Sequence, residues 1–86
     1  MTISKDLASA INNLCSGSEV KVLLAVLSYG GASSTAQMQA ASGITKSNNY
    51  FRTRKQLIER GYLIMSENGV HVNSEKILSD YSLLTN

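Results

Sequence analysis

The sequence predicts a mainly α-helical domain that carries one small β-hairpin. Three observations indicate this fold class. Apolar residues recur at helical spacing in several segments, the 86 residues include no proline, and Asn68-Gly69 separates two short runs of strand-forming residues. A chain of this length has room for a single hydrophobic core, so we expect one domain over residues 1–86.

The charge of the chain is concentrated in one segment. Eight Lys and Arg stand against six Asp and Glu, which gives a net charge of only +2. Five of the eight basic residues nevertheless lie between Lys46 and Arg60, where Glu59 is the one acid. The hydrophobic fraction of 43% is typical of a globular protein and argues against disorder. The cluster favours an anionic partner at that segment.

The cysteine and histidine content argues against several function classes. Cys15 is the single cysteine, which excludes an intrachain disulfide, and one thiol with the lone His71 does not make a structural zinc site. There is also no phosphate loop and no metal-ligand cluster. We therefore expect no enzyme activity, no metal and no cofactor. No secretory leader and no membrane-spanning run is recognisable, so we expect a cytoplasmic protein without a membrane partner.

The first helix is predicted over residues 3–14 and the second up to Tyr29. The first has a single apolar face, formed by Ile3, Leu7, Ile11 and Leu14. Ser16 and Glu19 then have the spacing of a capping box, and the apolar run that starts at Val20 is apolar on nearly every side. This run predicts the central buried helix. Its valines also suit a strand, but the capping box and the length favour a helix.

A short third helix is predicted from Thr35 to Ala41. Gly30-Gly31 ends the helix before it, and Ser33 or Ser34 starts the new one. Ser34 and Gln37 repeat the capping-box spacing. The predicted core contacts and the residues that end the helix are Met38 and Ala41, then Ser42-Gly43.

A long fourth helix is predicted from an N-cap at Thr45 to Arg60, with Gly61 ending it. Its buried stripe is expected to consist of two pairs spaced seven residues apart, Tyr50 with Leu57 and Phe51 with Ile58. Arg54 falls on this stripe, where it has to reach solvent or pair with a carboxylate.

The last elements are a hairpin and a helix. The runs 62–65 and 70–72 flank Asn68-Gly69, the dipeptide that best fits a type I′ turn. The final helix is predicted over about residues 74–84, and its apolar face consists of Ile77, Leu78, Tyr81 and Leu84. The apolar faces of the two terminal helices either pack on their own domain or are shared with a second subunit.

The middle of the chain predicts a helix-turn-helix. Gly43 allows a tight turn between the third and fourth helices, and Ile44 fills the angle between them. The stretch SGITKSNNYFRTRKQLIERGYL, followed by a hairpin, resembles the winged helix-turn-helix domains of bacterial and phage DNA-binding proteins. It is similar to regulators of the MarR type and to the N-terminal domains of phage and plasmid replication initiators. The residues that fit the family pattern are Leu57, Arg60, Gly61, Tyr62 and Leu63.

The resemblance spans residues 18–72, about two thirds of the chain. It implies a winged helix-turn-helix core over that range, with additional helices at about 3–14 and 74–84. It also implies that the fourth helix lies in the major groove of double-stranded DNA, which admits one helix. Base contacts are then expected from Ser47, Asn48, Asn49 and Arg52, and phosphate contacts from Ser34, Thr35 and Lys46. The free face also presents Thr53, Lys55 and Gln56.

The expected function is sequence-specific binding of double-stranded DNA by a small phage, plasmid or mobile-element transcriptional regulator that occludes an operator. Two alternatives stay open: the DNA-binding domain of a replication initiator, if the chain is a fragment, and a winged helix used for protein–protein contact. The acidic Glu67 near the hairpin tip indicates that the wing adds little affinity. Two copies on a palindrome, joined through the terminal helices, would compensate for the few cations. No small-molecule ligand is evident.

Overall fold

The computed structural model describes residues 5–29, 35–67 and 69–85. Within these ranges the chain forms five helices and one two-stranded antiparallel sheet, so the predicted fold class of helices with a small hairpin is confirmed. The elements in chain order are α1 (Lys5–Leu14), α2 (Gly17–Tyr29), α3 (Thr35–Ser42), α4 (Ser47–Glu59), β1 (Leu63–Ser66), β2 (Gly69–Val72) and α5 (Ser74–Thr85).

The second element is a helix and not the alternative strand, and the predicted capping box starts it. The Glu19 carboxylate accepts a hydrogen bond from the Ser16 N–H at 2.9 Å, and the Ser16 hydroxyl accepts one from the Glu19 N–H at 3.4 Å. These reciprocal bonds satisfy backbone donors that the start of a helix leaves free. The predicted start of α1 at Ile3 lies outside the described residues.

The core is built around α2, which packs against α1, α3, α4 and β2. Its buried residues include Val22, Leu23 and Val26. The predicted central position of α2 is confirmed, although Leu24 and Tyr29 of its apolar run are exposed. The core is completed by Leu7, Ala10, Ile11, Met38, Tyr50, Leu57, Tyr62, Leu63, Val70 and Ile77.

Helix α3 is short and buries one side only. Met38 is buried as predicted, but Ala41 is exposed, so that core contact is wrong. Ser42, four residues after Met38, is buried in place of Ala41, and its hydroxyl is hydrogen-bonded to the backbone of Gln39 and Ile44. Gly43 follows with a φ of 77°, which glycine adopts without strain. The predicted glycine stop at residues 30–31 and the serine caps at 33–34 lie outside the described residues.

Helix α4 is rotated relative to the prediction. Tyr50 and Leu57 are buried as expected, but the third residue of the inward stripe is Thr53, while Phe51 is 46% exposed. The spacings of three and four residues from Tyr50 through Thr53 to Leu57 follow one face of a helix. Ile58 is half-buried at the edge of this stripe.

Among the described residues Arg54 forms no ion pair with a carboxylate, and its side chain does not lie in the core. Its side chain is half-buried, and its guanidinium carbon lies 5.5 Å from the centroid of the Phe51 ring. A cation over an aromatic ring at this distance is attracted by the ring electrons. The basic residue on the predicted stripe is therefore held at the surface by an aromatic side chain.

The start of α4 differs from its predicted position, whereas its end agrees with the prediction. Lys46 is the N-cap in an extended conformation without a side-chain capping bond, so the prediction that Thr45 caps the helix is wrong. The C-terminal end is a Schellman motif. The Tyr62 N–H donates to the Leu57 carbonyl at 2.9 Å and the Gly61 N–H to the Ile58 carbonyl at 3.0 Å. Gly61, with a φ of 81°, ends the helix as predicted.

The hairpin is present, but its loop is shifted by one residue. The register runs from Leu63 opposite Val72 to Ser66 opposite Gly69. Gly69 is thus the first residue of β2 and not a central residue of the turn, so the predicted turn position is wrong by one. Asn68 lies outside the described residues. A two-residue connection, 67–68, remains between the paired strands.

Helix α5 packs against α1, so the inner faces of both terminal helices are used within the domain. Ile77 is fully buried and Tyr81 is half-buried against the core, as predicted. The prediction that Leu78 and Leu84 share this apolar face is wrong, because they are 37% and 65% exposed, and Leu84 lies in the last turn of α5. Leu83 is 78% exposed.

Candidate nucleic-acid interface

The exposed face of α4 presents amide and basic side chains in one continuous surface. No aspartate or glutamate occurs from Lys46 to Ile58. Seven of the ten side chains predicted to contact DNA are exposed on this helix and its N-cap: Lys46, Ser47, Asn48, Asn49, Arg52, Lys55 and Gln56. We refer to these seven residues as the polar face of α4. Its groups are hydrogen-bond donors and acceptors of the kind that reads base edges and contacts phosphates.

The other three predicted contact residues are Thr53, Thr35 and Ser34. Thr53 is buried against the core, so the expectation that it lies on the free face is wrong. Thr35 is the first residue of α3. Ser34 lies outside the described residues.

Arg52 is held in place by its own helix. Its guanidinium donates a hydrogen bond to the side-chain oxygen of Asn49 at 3.0 Å, across the i to i+3 spacing of α4. The bond restricts the conformations of a long side chain before any ligand arrives, which reduces the entropy lost on binding. Asn49 therefore acts in this geometry as a positioning residue for Arg52.

The N-terminus of α4 leaves backbone donors free. The first bond along the helix runs from the Tyr50 N–H to the Lys46 carbonyl at 3.1 Å, and no side chain caps the preceding donors. The N–H groups of residues 47–49 point out of the helix end and carry partial positive charge. Lys46 is exposed beside them. This end of α4 suits an anionic ligand.

The side chain of Gln39 links α3 to the start of α4 through hydrogen bonds. Its amide nitrogen donates to the carbonyls of Ile44 at 3.3 Å and Thr45 at 3.4 Å, and it lies 3.3 Å from the Ser47 hydroxyl. Ser42 strengthens the same turn, since its hydroxyl donates to the Gln39 carbonyl at 2.6 Å and accepts from the Ile44 N–H at 3.2 Å. The turn that sets the direction of α4 is thereby tied to α3.

Sequence reasoning missed the role of Gln39. The feature of the sequence that could have indicated this role is a long amide side chain in an alanine-rich helix, one turn before Gly43. The same bonds change the expectation for Ser47, because a hydroxyl bonded to Gln39 is shared between the turn and any base it contacts. Small residues next to Gln39 leave an open surface groove of about 360 Å³ beside the N-terminus of α4, lined by Ala36, Gln39, Ala40, Gly43, Ile44 and Thr45.

Arg60 belongs to the basic cluster in the sequence, but its guanidinium is bonded to other residues of the protein. Its guanidinium donates to the Glu19 carboxylate at 2.7 Å and to the Leu14 carbonyl at 2.8 Å. It also lies 4.5 Å from the centroid of the Tyr62 ring. Arg60 thus joins the end of α4 to the junction of α1 and α2. The exposed basic residues of the polar face are consequently Lys46, Arg52 and Lys55.

Glu19 is a nearly buried carboxylate that stays ionised because of its partners. Burial alone raises its pKa, but the hydrogen bonds from the Ser16 backbone and the Arg60 guanidinium outweigh this effect, and the pKa lies below its ordinary value. Burial raises the pKa of the nearby Cys15 thiol, and the Glu19 charge adds to the increase while Arg60 opposes it.

The hairpin contributes no positive charge. β1 and β2 contain neither lysine nor arginine, and the exposed Glu67 follows β1 directly. Ile64 and His71 pair across the strands on the exposed side. The exposed surface of the hairpin is therefore apolar and weakly acidic.

Among the described residues, no group of three or more His, Cys, Asp and Glu side chains is arranged to hold a metal ion. A helix both long and apolar enough to cross a membrane is also absent from the described ranges. No protein-family model, curated protein or solved structure matches the chain.

Proposed function

We propose that this chain is a winged helix-turn-helix domain that binds double-stranded DNA in a sequence-specific manner through α4. The observation that carries the proposal is the polar face of α4, which combines amide and basic groups with an uncapped helix N-terminus and has no acidic neighbour on α4 before Glu59 in the last turn. The hairpin directly after α4 is the wing in this assignment.

The dimensions of α4 suit the major groove. A helix of 13 residues is about 20 Å long, and the groove is about 12 Å wide and accepts one helix. In this arrangement Asn48 and Gln56 are suited to adenine and Arg52 to guanine, because their donors and acceptors match those base edges. Lys46 and Thr35, each at a helix start, are suited to phosphates.

We also propose that two copies act together, as in a small phage, plasmid or mobile-element regulator that occludes an operator. Three exposed cations on the polar face give weak electrostatic attraction for a single copy. Two copies on a palindromic site double the number of phosphate contacts. Because α1 and α5 bury their inner faces against each other, the dimer contact is assigned to Leu83 and Leu84 at the end of α5. A replication-initiator domain would use the same polar face.

A salt titration tests DNA binding. The purified protein is titrated into a fluorescent random-sequence duplex at 50 and then 200 mM salt, and binding is followed by anisotropy. Three phosphate contacts release counterions with a slope of about 0.9 each, so the affinity of one copy is expected to fall by about 40-fold over this range. Two cooperating copies give a steeper fall and a stoichiometry of two per duplex.

Absence of binding at 50 mM salt, or affinity that does not change with salt, contradicts the proposal. The favoured function would then be protein–protein contact. The specific observation that supports this second candidate is the hairpin, where Ile64 and Met65 are exposed beside the acidic Glu67.

A further inference from the structure

Phe51 is an exposed aromatic residue of α4 that adjoins the polar face. It follows Asn48 by three residues, precedes Lys55 by four and adjoins Arg52, so helical geometry places these four side chains on one surface. Nearly half of the Phe51 side chain is exposed, at 46%. Phe51 is the one large apolar side chain among the exposed residues of α4, so it is the group on this surface that suits an apolar contact. The apolar spacing in the sequence predicts Phe51 in the core, together with Ile58.

The ring of Phe51 is held from two sides. The Tyr50 ring meets it edge to face, with the centroids 5.3 Å apart and the ring planes at 75°. The Arg54 guanidinium carbon lies 5.5 Å from its centroid. Both geometries are favourable for an aromatic ring. Because these neighbours already restrict the ring, a contact made by its free edge costs little additional conformational entropy.

The ligand group that suits this ring follows from the chemistry of the major groove. The base edges there present hydrogen-bond donors and acceptors, and the apolar group among them is the 5-methyl group of thymine. We infer that Phe51 contacts a thymine methyl group and thereby makes the protein select an A·T pair at that position. This inference rests on the proposed DNA binding and identifies a specificity-determining residue within the same surface.

The test removes only the methyl group. Two DNA duplexes are compared, one of alternating A·T pairs and one in which deoxyuridine replaces every thymidine. They have the same phosphates, sugars and hydrogen-bonding groups, so their affinities for the protein differ through the methyl groups alone. Burying one methyl group is worth about a fourfold change in affinity. We expect the protein to bind the thymine duplex at least about fourfold more tightly than the uracil duplex.

Three variants make the test specific. Phe51→Ala is expected to bind both duplexes equally, at the affinity of the unchanged protein for the uracil duplex. Phe51→Leu keeps an apolar side chain and is expected to retain part of the preference. Leu78→Ala, which truncates another partly exposed apolar residue on α5, is expected to retain all of it. Circular dichroism melts verify that each variant is folded.

The outcomes separate this inference from the proposal on which it depends. Equal affinity of the unchanged protein for the two duplexes, or an unchanged preference in Phe51→Ala, overturns the role of Phe51 while DNA binding stands. Tighter binding to a single-stranded oligonucleotide than to either duplex assigns the ring to base stacking and also overturns it. Failure of both duplexes to bind in a salt-dependent manner contradicts the DNA-binding proposal itself.

Discussion

Replacing Arg60 with alanine is expected to lower the free energy of unfolding by about 2–3 kcal/mol. The substitution removes the hydrogen bonds to the Glu19 carboxylate and to the Leu14 carbonyl, and it leaves a nearly buried charge without its cation. The guanidinium itself is partly exposed, so the loss is smaller than for a fully buried ion pair. For a domain of this size the expected decrease in Tm is about 10–20 °C.

Lys76→Ala is the matched control. Lys76 also forms an ion pair, with Asp80 at 3.2 Å, but this pair is exposed and joins residues of one helix. Its removal is expected to change stability much less than the removal of Arg60. Urea unfolding followed by circular dichroism measures both variants. If Arg60→Ala is no less stable than Lys76→Ala, the bridge between α4 and the α1–α2 junction contributes nothing to the fold.

The same ion pair has a pH signature. Because the folded protein lowers the pKa of Glu19, the stability that this group contributes is complete above its unfolded pKa of about 4.5. This contribution to stability is lost as the pH falls through the pKa of Glu19 in the folded protein, which is lower. Arg60→Ala is expected to show a weaker loss of stability in this acidic range than the unchanged protein.

The affinity of Arg60→Ala for random-sequence DNA should retain its salt dependence at a temperature where the variant is folded. The reason is that the Arg60 guanidinium is bonded to Glu19 and Leu14 within the protein and does not belong to the polar face.

Arg52→Ala is expected to weaken binding to the preferred DNA site by about 1–3 kcal/mol, which is a 5- to 150-fold loss of affinity. Arg52 is exposed on the polar face and oriented by Asn49, as a side chain that reads a base edge requires. The site is first selected from a random duplex library. Affinities for this site and for a scrambled duplex are then measured at one salt concentration.

Lys46→Ala provides the comparison, because a phosphate contact carries no sequence information. This variant is expected to bind the selected and scrambled duplexes less tightly by the same factor and to lower the salt slope by about one. Arg52→Ala should instead reduce the ratio between the two affinities. If it changes neither affinity, α4 does not contact DNA in the proposed orientation.

The helices with local start and stop signals could be predicted from the sequence. Ser16 and Glu19 form the capping box that their spacing indicates, and Gly61 ends α4 with the backbone conformation that glycine favours. The hairpin was predicted from Asn-Gly, but the register that places Gly69 in β2 depends on how Leu63 and Val70 are buried. Short-range patterns therefore located the elements, and packing fixed their boundaries.

The rotation of α4 could not be predicted, because two apolar stripes fit its sequence. Pairing by hydrophobicity favours Phe51, whereas the folded domain buries Thr53 and leaves the Phe51 ring exposed. The partners of Arg60 are 41 and 46 residues away in the chain, a distance at which local patterns carry no information. For this reason a residue assigned to the basic cluster proved to be a structural link.

The central claim is that the polar face of α4 is the surface that contacts DNA. It is tested most directly by amide chemical-shift mapping of the labelled protein during titration with a random-sequence duplex at low salt. Shifts concentrated in residues 46–56, with weaker ones at the start of α3, are the predicted result. Shifts confined to α5 or the hairpin, with the amides of α4 unchanged at saturation, would contradict it.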